Sequence, residues 1–99
     1  FTFMYNELQD TVGYPRTVPV MHVQPFNVEF NNNVARGFHA LLREFPGVEF
    51  CLHAHSHTLL HEELFEDGIP YIGCAAMKDK NYLLFTLTPG GYEYEVVYY

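Results

Sequence analysis

Apolar positions follow two different periods along the chain. Val34, Phe38, Leu41, Leu42 and Phe45 recur at i, i+4, i+7, i+8 and i+11. That is one stripe of an amphipathic helix of about 11–13 residues. Asn31-Asn32-Asn33 offers its N-cap and Pro46-Gly47 stops it. Arg36, Arg43 and Glu44 lie off the stripe and read as a solvated face, with His39 at a solvated or half-buried helix position. On either side stand the apolar runs Thr17-Val18-Pro19-Val20-Met21-His22 and Val48-Glu49-Phe50-Cys51-Leu52-His53. Nearly continuous apolar runs of this length suit buried strands. Pro19 cannot donate to a ladder, which puts it at an edge or a strand start. Strand, helix and strand with short connections predict a βαβ unit with parallel pairing.

The rest of the chain is β in character. Leu64-Phe65-Glu66 and Ile69-Pro70-Tyr71-Ile72 flank Asp67-Gly68, the signal of a two-residue hairpin turn. Residues 82–88 form an apolar strand, Pro89-Gly90-Gly91 turns the chain, and 92–99 opens with strict alternation, so one face should be wet. The first sixteen residues are irregular, with a short strand over 1–5 and a turn around Gly13 and Pro15. The expected fold class is α/β with α+β content: a βαβ unit followed by antiparallel strands, in one domain over residues 1–99.

Composition makes that core feasible. Of 99 residues, 48% are hydrophobic, and nine Phe and eight Tyr supply large buried areas per side chain. Five basic residues face twelve acidic ones, for a net charge of −7. The cations Arg16, Arg36, Arg43, Lys78 and Lys80 are thinly spread. Nucleic-acid and anionic-membrane binding rest on clustered positive charge, so neither is expected. No run of 18 apolar residues occurs, nor a basic segment followed by an apolar one in the manner of a signal peptide. Nothing here assigns a compartment. Cys51 and Cys74 make neither a disulfide scaffold nor a metal knuckle. They read as small buried hydrophobes, with a single bridge open to them in an oxidising compartment.

Chemistry concentrates in the histidines, six in all. In His53-Ala54-His55-Ser56-His57 the three imidazoles share one face if the segment is a strand. In a loop, the small residues between them let neighbouring rings converge. Neutral imidazole is a common ligand for transition metals. His55 and His57 therefore read as metal ligands, and His53 as a structural or supporting residue. His61 reads as solvated or supporting. Glu62 and Glu63 follow the cluster; Glu62 is a candidate to orient a ligating imidazole, the alternative being a solvated acidic pair.

Two of these segments carry a resemblance. Val20-Met21-His22-Val23-Gln24-Pro25-Phe26 resembles the strand-end H-x-x-P segment of calcineurin-like metallophosphoesterases. Ala54-His55-Ser56-His57 resembles their last motif, G-H-x-H, with Ala54 in place of the glycine. The helix and strand between the two motifs, and the strands that follow, match as well. The resemblance implies half of a four-layer αββα sandwich. It implies that His22 and His55 bind one divalent transition metal (Mn, Fe, Zn or Ni) and His57 a second. It implies a phosphate ester substrate attacked by a metal-bridging hydroxide. The family's D-x-H, G-D and G-N-H-D/E motifs do not occur in these residues. What the resemblance implies is therefore the C-terminal portion of such a domain, with no catalytic residue of its own and no activity alone. A half-sandwich would bare a sheet face, so self-association, as a homodimer, is expected. The alternative is a non-catalytic, self-associating metal-binding or interaction module. A metallo-β-lactamase-like site is disfavoured, because Thr58-Leu59-Leu60 stands where an Asp-His pair would follow the histidines.

Overall fold

The computed structural model describes residues 2–99. Two helices, α1 (Thr2–Gln9) and α2 (Ala35–Arg43), precede strands β1 (Cys51–His53), β2 (Leu60–Glu62) and β3 (Tyr71–Gly73). A 3-10 turn over Met77–Asp79 leads into β4 (Asn81–Thr88) and β5 (Gly91–Tyr98). One sheet has the order β1-β3-β2, with β1 and β3 parallel and β2 antiparallel to β3. The other is the β4-β5 hairpin. The chain is thus a mixed α and β globule, as its patterning predicts.

The βαβ unit is present with a weakened first strand. Residues 17–22 run parallel to 48–52, bridging at Thr17–Val48 and Val20–Leu52. The Leu52 N–H donates to the Pro19 carbonyl, Met21 N–H to Leu52 and Ala54 N–H to His22. Pro19 has no N–H to return, and the ladder is reduced to isolated bridges. The parallel direction still carries His22 and the end of β1 to the same edge of the sheet.

Side-chain alternation along the sheet makes two cores. Cys51 and Tyr71 face the helices and pack with Leu42, Phe45, Val48 and Leu8. Phe50 faces the opposite way, stacked on Phe85 at 5.0 Å and against Tyr92 at 4.2 Å. Helices, three-stranded sheet and hairpin form three layers. Burial of a ring like Phe50 contributes about 1.5–3 kcal/mol.

Four expectations are corrected. Residues 2–5 are helical, not a strand; Phe1 lies outside the described residues. Met4 and Leu8 are one helical turn apart, Leu8 is buried, and Tyr5 sets its edge on Phe45 at 6.4 Å. Tertiary packing thus selects the 3.6-residue period over the weak alternation. The asparagine run does not cap α2: Val34 occupies the cap and no side chain bonds there. Asn32 is committed elsewhere, accepting from the Phe26 N–H at 2.7 Å and donating to the Asn27 carbonyl at 2.9 Å. The third concerns His39, which is 3% exposed rather than solvated or half-buried. It shares the buried face of α2 with Ala35 and Leu42, at i, i+4 and i+7. Finally, Asp67-Gly68 is not a two-residue turn. β2 and β3 are joined by residues 63–70, in which Glu66 and Gly68 have φ of 55° and 89°. Phe65 leaves the strand path to stack on His39 at 3.9 Å.

The last hairpin follows its sequence pattern. Thr88 pairs with Gly91, so Pro89-Gly90 makes the turn. Glu93 and Glu95 are exposed while Tyr92 and Tyr94 are half-buried. The outer face is mixed, since Tyr82 and Leu84, both exposed, flank those acids. Both cysteines are free thiols. Among the described residues no helix is long and apolar enough to cross a membrane.

Candidate functional site

β1 ends at His53, and its parallel neighbour ends at His22. Beyond them His22 Nε2 and His55 Nδ1 stand 2.8 Å apart, with the rings edge to face at 4.7 Å. The Glu29 carboxylate meets the other nitrogen of His55, Nε2. An ionised Glu29 accepts, so His55 carries its proton on Nε2 and offers a lone pair at Nδ1. The His22 Nε2–H then donates to it.

The backbone after β1 is tightly wound. His55 and His57 have φ of 64° and 56°, and the Ser56 N–H donates to the Ala54 carbonyl at 2.7 Å. Left-handed conformations at non-glycine residues are sparsely populated and gather at functional sites. They also exclude the strand reading in which His53, His55 and His57 share a face. Ala54 is not among the positive-φ residues, so the missing Cβ-free glycine costs nothing at that position. His57 is exposed, and no three His, Cys, Asp or Glu side chains among the described residues are grouped to share one ion.

The pair itself suits a metal. Two imidazole nitrogens converge on one point, and a carboxylate orients the ring of one from its far side, the common arrangement around ligating histidines. Two nitrogens on one tetrahedral ion lie about 3.3 Å apart, so ligation asks the rings to separate by about half an ångström. Both residues lie outside the strands, His22 exposed and His55 half-buried. Glu29, not Glu62, is the carboxylate in contact with the pair, and sequence reasoning missed it. It belongs to no motif; its only signal is a carboxylate seven residues after His22 beside an asparagine-rich turn.

His53 plays a different part. Its ring is 3% exposed and lies against Gly73, where a Cβ would come within 2.5 Å of His53 Cε1. Only glycine lets β3 pass this ring. Burial lowers the His53 pKa, against the opposing effects of the Ala54 backbone and the Glu62 charge. The Nδ1 atom has no partner. Glu62 is exposed on β2 and lines a groove with Gln24 instead of touching His22 or His55. His61 is exposed and joins β2 to the hairpin, bonded to the Tyr94 hydroxyl at 2.6 Å.

A second histidine centre lies inside the molecule. His39 Nδ1 is 2.8 Å from the Tyr71 hydroxyl and Nε2 is 2.5 Å from Asp67 Oδ2. Arg43 Nε approaches the same carboxylate oxygen at 3.2 Å. Burial opposes ionisation of Asp67, but the His39 and Ile69 hydrogen bonds and the charges of His39 and Arg43 outweigh it, and its pKa is lowered. The ionised carboxylate accepts from Nε2–H, and Nδ1 shares its hydrogen bond with the Tyr71 hydroxyl. Cys51, beside Tyr71, has its thiol pushed up to about 12 by burial, which the Tyr71 hydrogen bond only partly offsets. A thiol in that state is no nucleophile at neutral pH. No family model matches the chain, and neither does any curated protein or solved structure.

Proposed function

We propose that these residues are the C-terminal portion of a metal-dependent phosphoesterase domain, with His22 and His55 as ligands of one divalent transition metal and His57 as a ligand of a second. The observation that carries this reading is the convergence of His22 Nε2 and His55 Nδ1, with Glu29 behind His55. The two residues are 33 apart in sequence. Parallel pairing of the segments that precede them brings them together. They are also the histidines of the two motifs that resemble the phosphoesterase family. Bound there, a divalent metal supplies Lewis-acid polarisation of a phosphate ester and a low-pKa water. The chain's own residues hold that metal: Glu29 keeps the His55 proton on Nε2, and the left-handed turn aims Nδ1 inward. In this reading the bridging carboxylate and the leaving-group acid come from residues outside the 99, so the isolated chain binds metal and does not turn over.

Self-association belongs to the same proposal. Residues 17–22 form the outer edge of the three-stranded sheet, where Val20 is 74% exposed. An open strand edge pairs readily with another strand. A light-scattering mass above 11.5 kDa that rises with concentration is expected.

Elemental analysis of the purified chain tests the metal site, beside a His22→Ala/His55→Ala double variant. We expect about one ion per chain, lost in the variant. Equal metal in both, or none after incubation with Zn²⁺ or Mn²⁺, would sink the reading.

A further inference from the structure

The backbone along residues 17–22 has a sided pattern. Toward β1, the Thr17 N–H donates to the Gly47 carbonyl, the Pro19 carbonyl accepts from Leu52, and the Met21 N–H donates to the Leu52 carbonyl. Successive residues of a strand turn their N–H and C=O groups to opposite sides. Residues 17, 19 and 21 therefore face β1, and Val18 and Val20 face outward. Among the described residues, the N–H and C=O groups of Val18 and Val20 have no backbone partner. A proline commonly guards an edge strand, but the N–H that Pro19 lacks belongs to the inner side. Its presence leaves the outer row of donors and acceptors complete. Residues 17–23 hold no Lys, Arg, Asp or Glu, so no charge blunts this edge.

Apolar surface flanks the strand. A groove of about 350 Å³ lies between it and α1, lined by Phe3, Met4, Leu8, Pro19, Val20 and Met21 among others. A hollow of about 130 Å³ with Val12 and Tyr14 adjoins that groove, and Thr11 and Thr17 line both. Phe3, Val12, Tyr14 and Val20 are 68–77% exposed.

Symmetry selects the occupant. In an antiparallel pair, residues that exchange two hydrogen bonds alternate with residues that exchange none. A two-fold axis at Pro19 sets Val18 against Val20 of a second copy, and Val20 against Val18. Those two pairs exchange four hydrogen bonds. Pro19 then meets its own counterpart at a non-bonded position, where no N–H is called for. The segment is complementary to itself, and two chains of net charge −7 meet through residues that carry none of it. An aromatic side chain buries about 150–250 Å². Phe3 and Tyr14 with the two exposed valines thus approach the roughly 600 Å² per partner at which specific interfaces begin. We propose that a second copy of this chain pairs antiparallel with residues 17–21, about a two-fold axis at Pro19. This rests on the self-association reading and is independent of the metal: His22 lies three residues from the axis, beyond the bonded pairs.

Disulfide trapping tests the register. Facing Cα atoms at a non-bonded antiparallel position are about 4.5 Å apart, within disulfide reach. Under a mild oxidant, Pro19→Cys should give a covalent dimer. Val20→Cys, whose counterpart lies two residues along the partner strand, should give no more than the parent chain with Cys51 and Cys74. Val20→Lys, its fold verified by the amide spectrum, should dimerise at least tenfold more weakly in light scattering. With rising concentration the Val18 and Val20 amides should exchange more slowly, while Met21, bonded to Leu52, stays unchanged. A mass of 11.5 kDa at every concentration would overturn this pairing and the self-association reading together. A dimer that survives Val20→Lys, or that crosslinks no better through position 19 than through position 20, would leave self-association standing and overturn this pairing.

Discussion

The His39 and His22–His55 centres use the same side chain to opposite ends. His39 is buried, stacked on Phe65, and has both ring nitrogens engaged, one by Tyr71 and one by Asp67. His22 and His55 lie at the sheet edge, and their facing nitrogens are engaged only with each other. A ring whose two nitrogens are both held by buried partners has no edge open to a ligand. In a pair of neutral rings bridged by one proton, a shift of that proton to His22 Nδ1 leaves both facing lone pairs to a metal ion. His55 too has both nitrogens engaged, by His22 and Glu29, so the exposure of the partners rather than their number separates the His39 centre from the His22–His55 pair. His53, equally buried but with an orphan Nδ1, falls between them.

The largest effect should come from emptying the buried centre. His39→Leu removes the partner of the Asp67 carboxylate and of the Tyr71 hydroxyl at once. Leaving buried polar groups unpaired costs about 1–3 kcal/mol each. A loss of about 2–4 kcal/mol in urea-unfolding stability is expected, with Arg43 retaining part of the Asp67 interaction. A loss below half a kilocalorie would show that the centre is not structural, and the contrast would fail.

Gly73→Ala should follow, at about 1–3 kcal/mol, the cost of overpacking a filled site. The added Cβ would meet the buried His53 ring at 2.5 Å, and His53 has little room to yield. Thermal unfolding reads this directly. Restoration of most of the loss by a second change, His53→Ala, would place the conflict at that contact.

Acid should act on the buried centre in a defined direction. The Asp67 pKa is lowered in the fold. The unfolded chain therefore takes up the proton first as pH falls, and stability drops from about pH 4, the ordinary carboxylate range, down to the folded value. Above that window the contribution is complete. In Asp67→Asn the slope of stability against pH below about pH 4 should be shallower than in the parent chain. An unchanged slope would assign acid sensitivity to other carboxylates.

Sequence reading singled out the histidines that meet at the open edge and missed the buried centre, for a physical reason. His22 and His55 sit at the ends of apolar strand runs, and strand direction alone brings them together. The fold class and the β4-β5 hairpin were legible in the same way, from periods of two and from Pro89-Gly90. His39, by contrast, looks solvated because the apolar stripe can be drawn without it. Its burial depends on Asp67 and Tyr71, 28 and 32 residues away, which satisfy its nitrogens. The same carboxylate gives the Asp67-Gly68 turn another use, which is why the two-residue hairpin did not form. Glu29 and the asparagine run were obscured likewise: Asn32 bonds to the loop instead of capping α2. Local patterns survive where backbone pairing decides, and fail where a long-range polar partner redirects a side chain.

The smallest expected change in stability is at the open pair, and it is the most informative. His22→Ala/His55→Ala removes one hydrogen bond between rings at the sheet edge and the contact from Glu29 to His55. Surface polar contacts of this kind contribute little, so unfolding stability without metal should move by less than about 0.5 kcal/mol. With Zn²⁺ present, the parent chain should gain stability as RT ln(1 + [L]/Kd), about 2.7 kcal/mol at a hundredfold excess over Kd. The double variant should gain none. The two arms must diverge for the pair to be a ligand site rather than a second structural clamp. A large loss without metal, or an equal Zn²⁺ gain in both chains, would erase the distinction between the centres. A divergence confined to Zn²⁺ would show that this edge of the fold is held in readiness by Glu29 and the wound turn, at almost no cost to the stability of the rest.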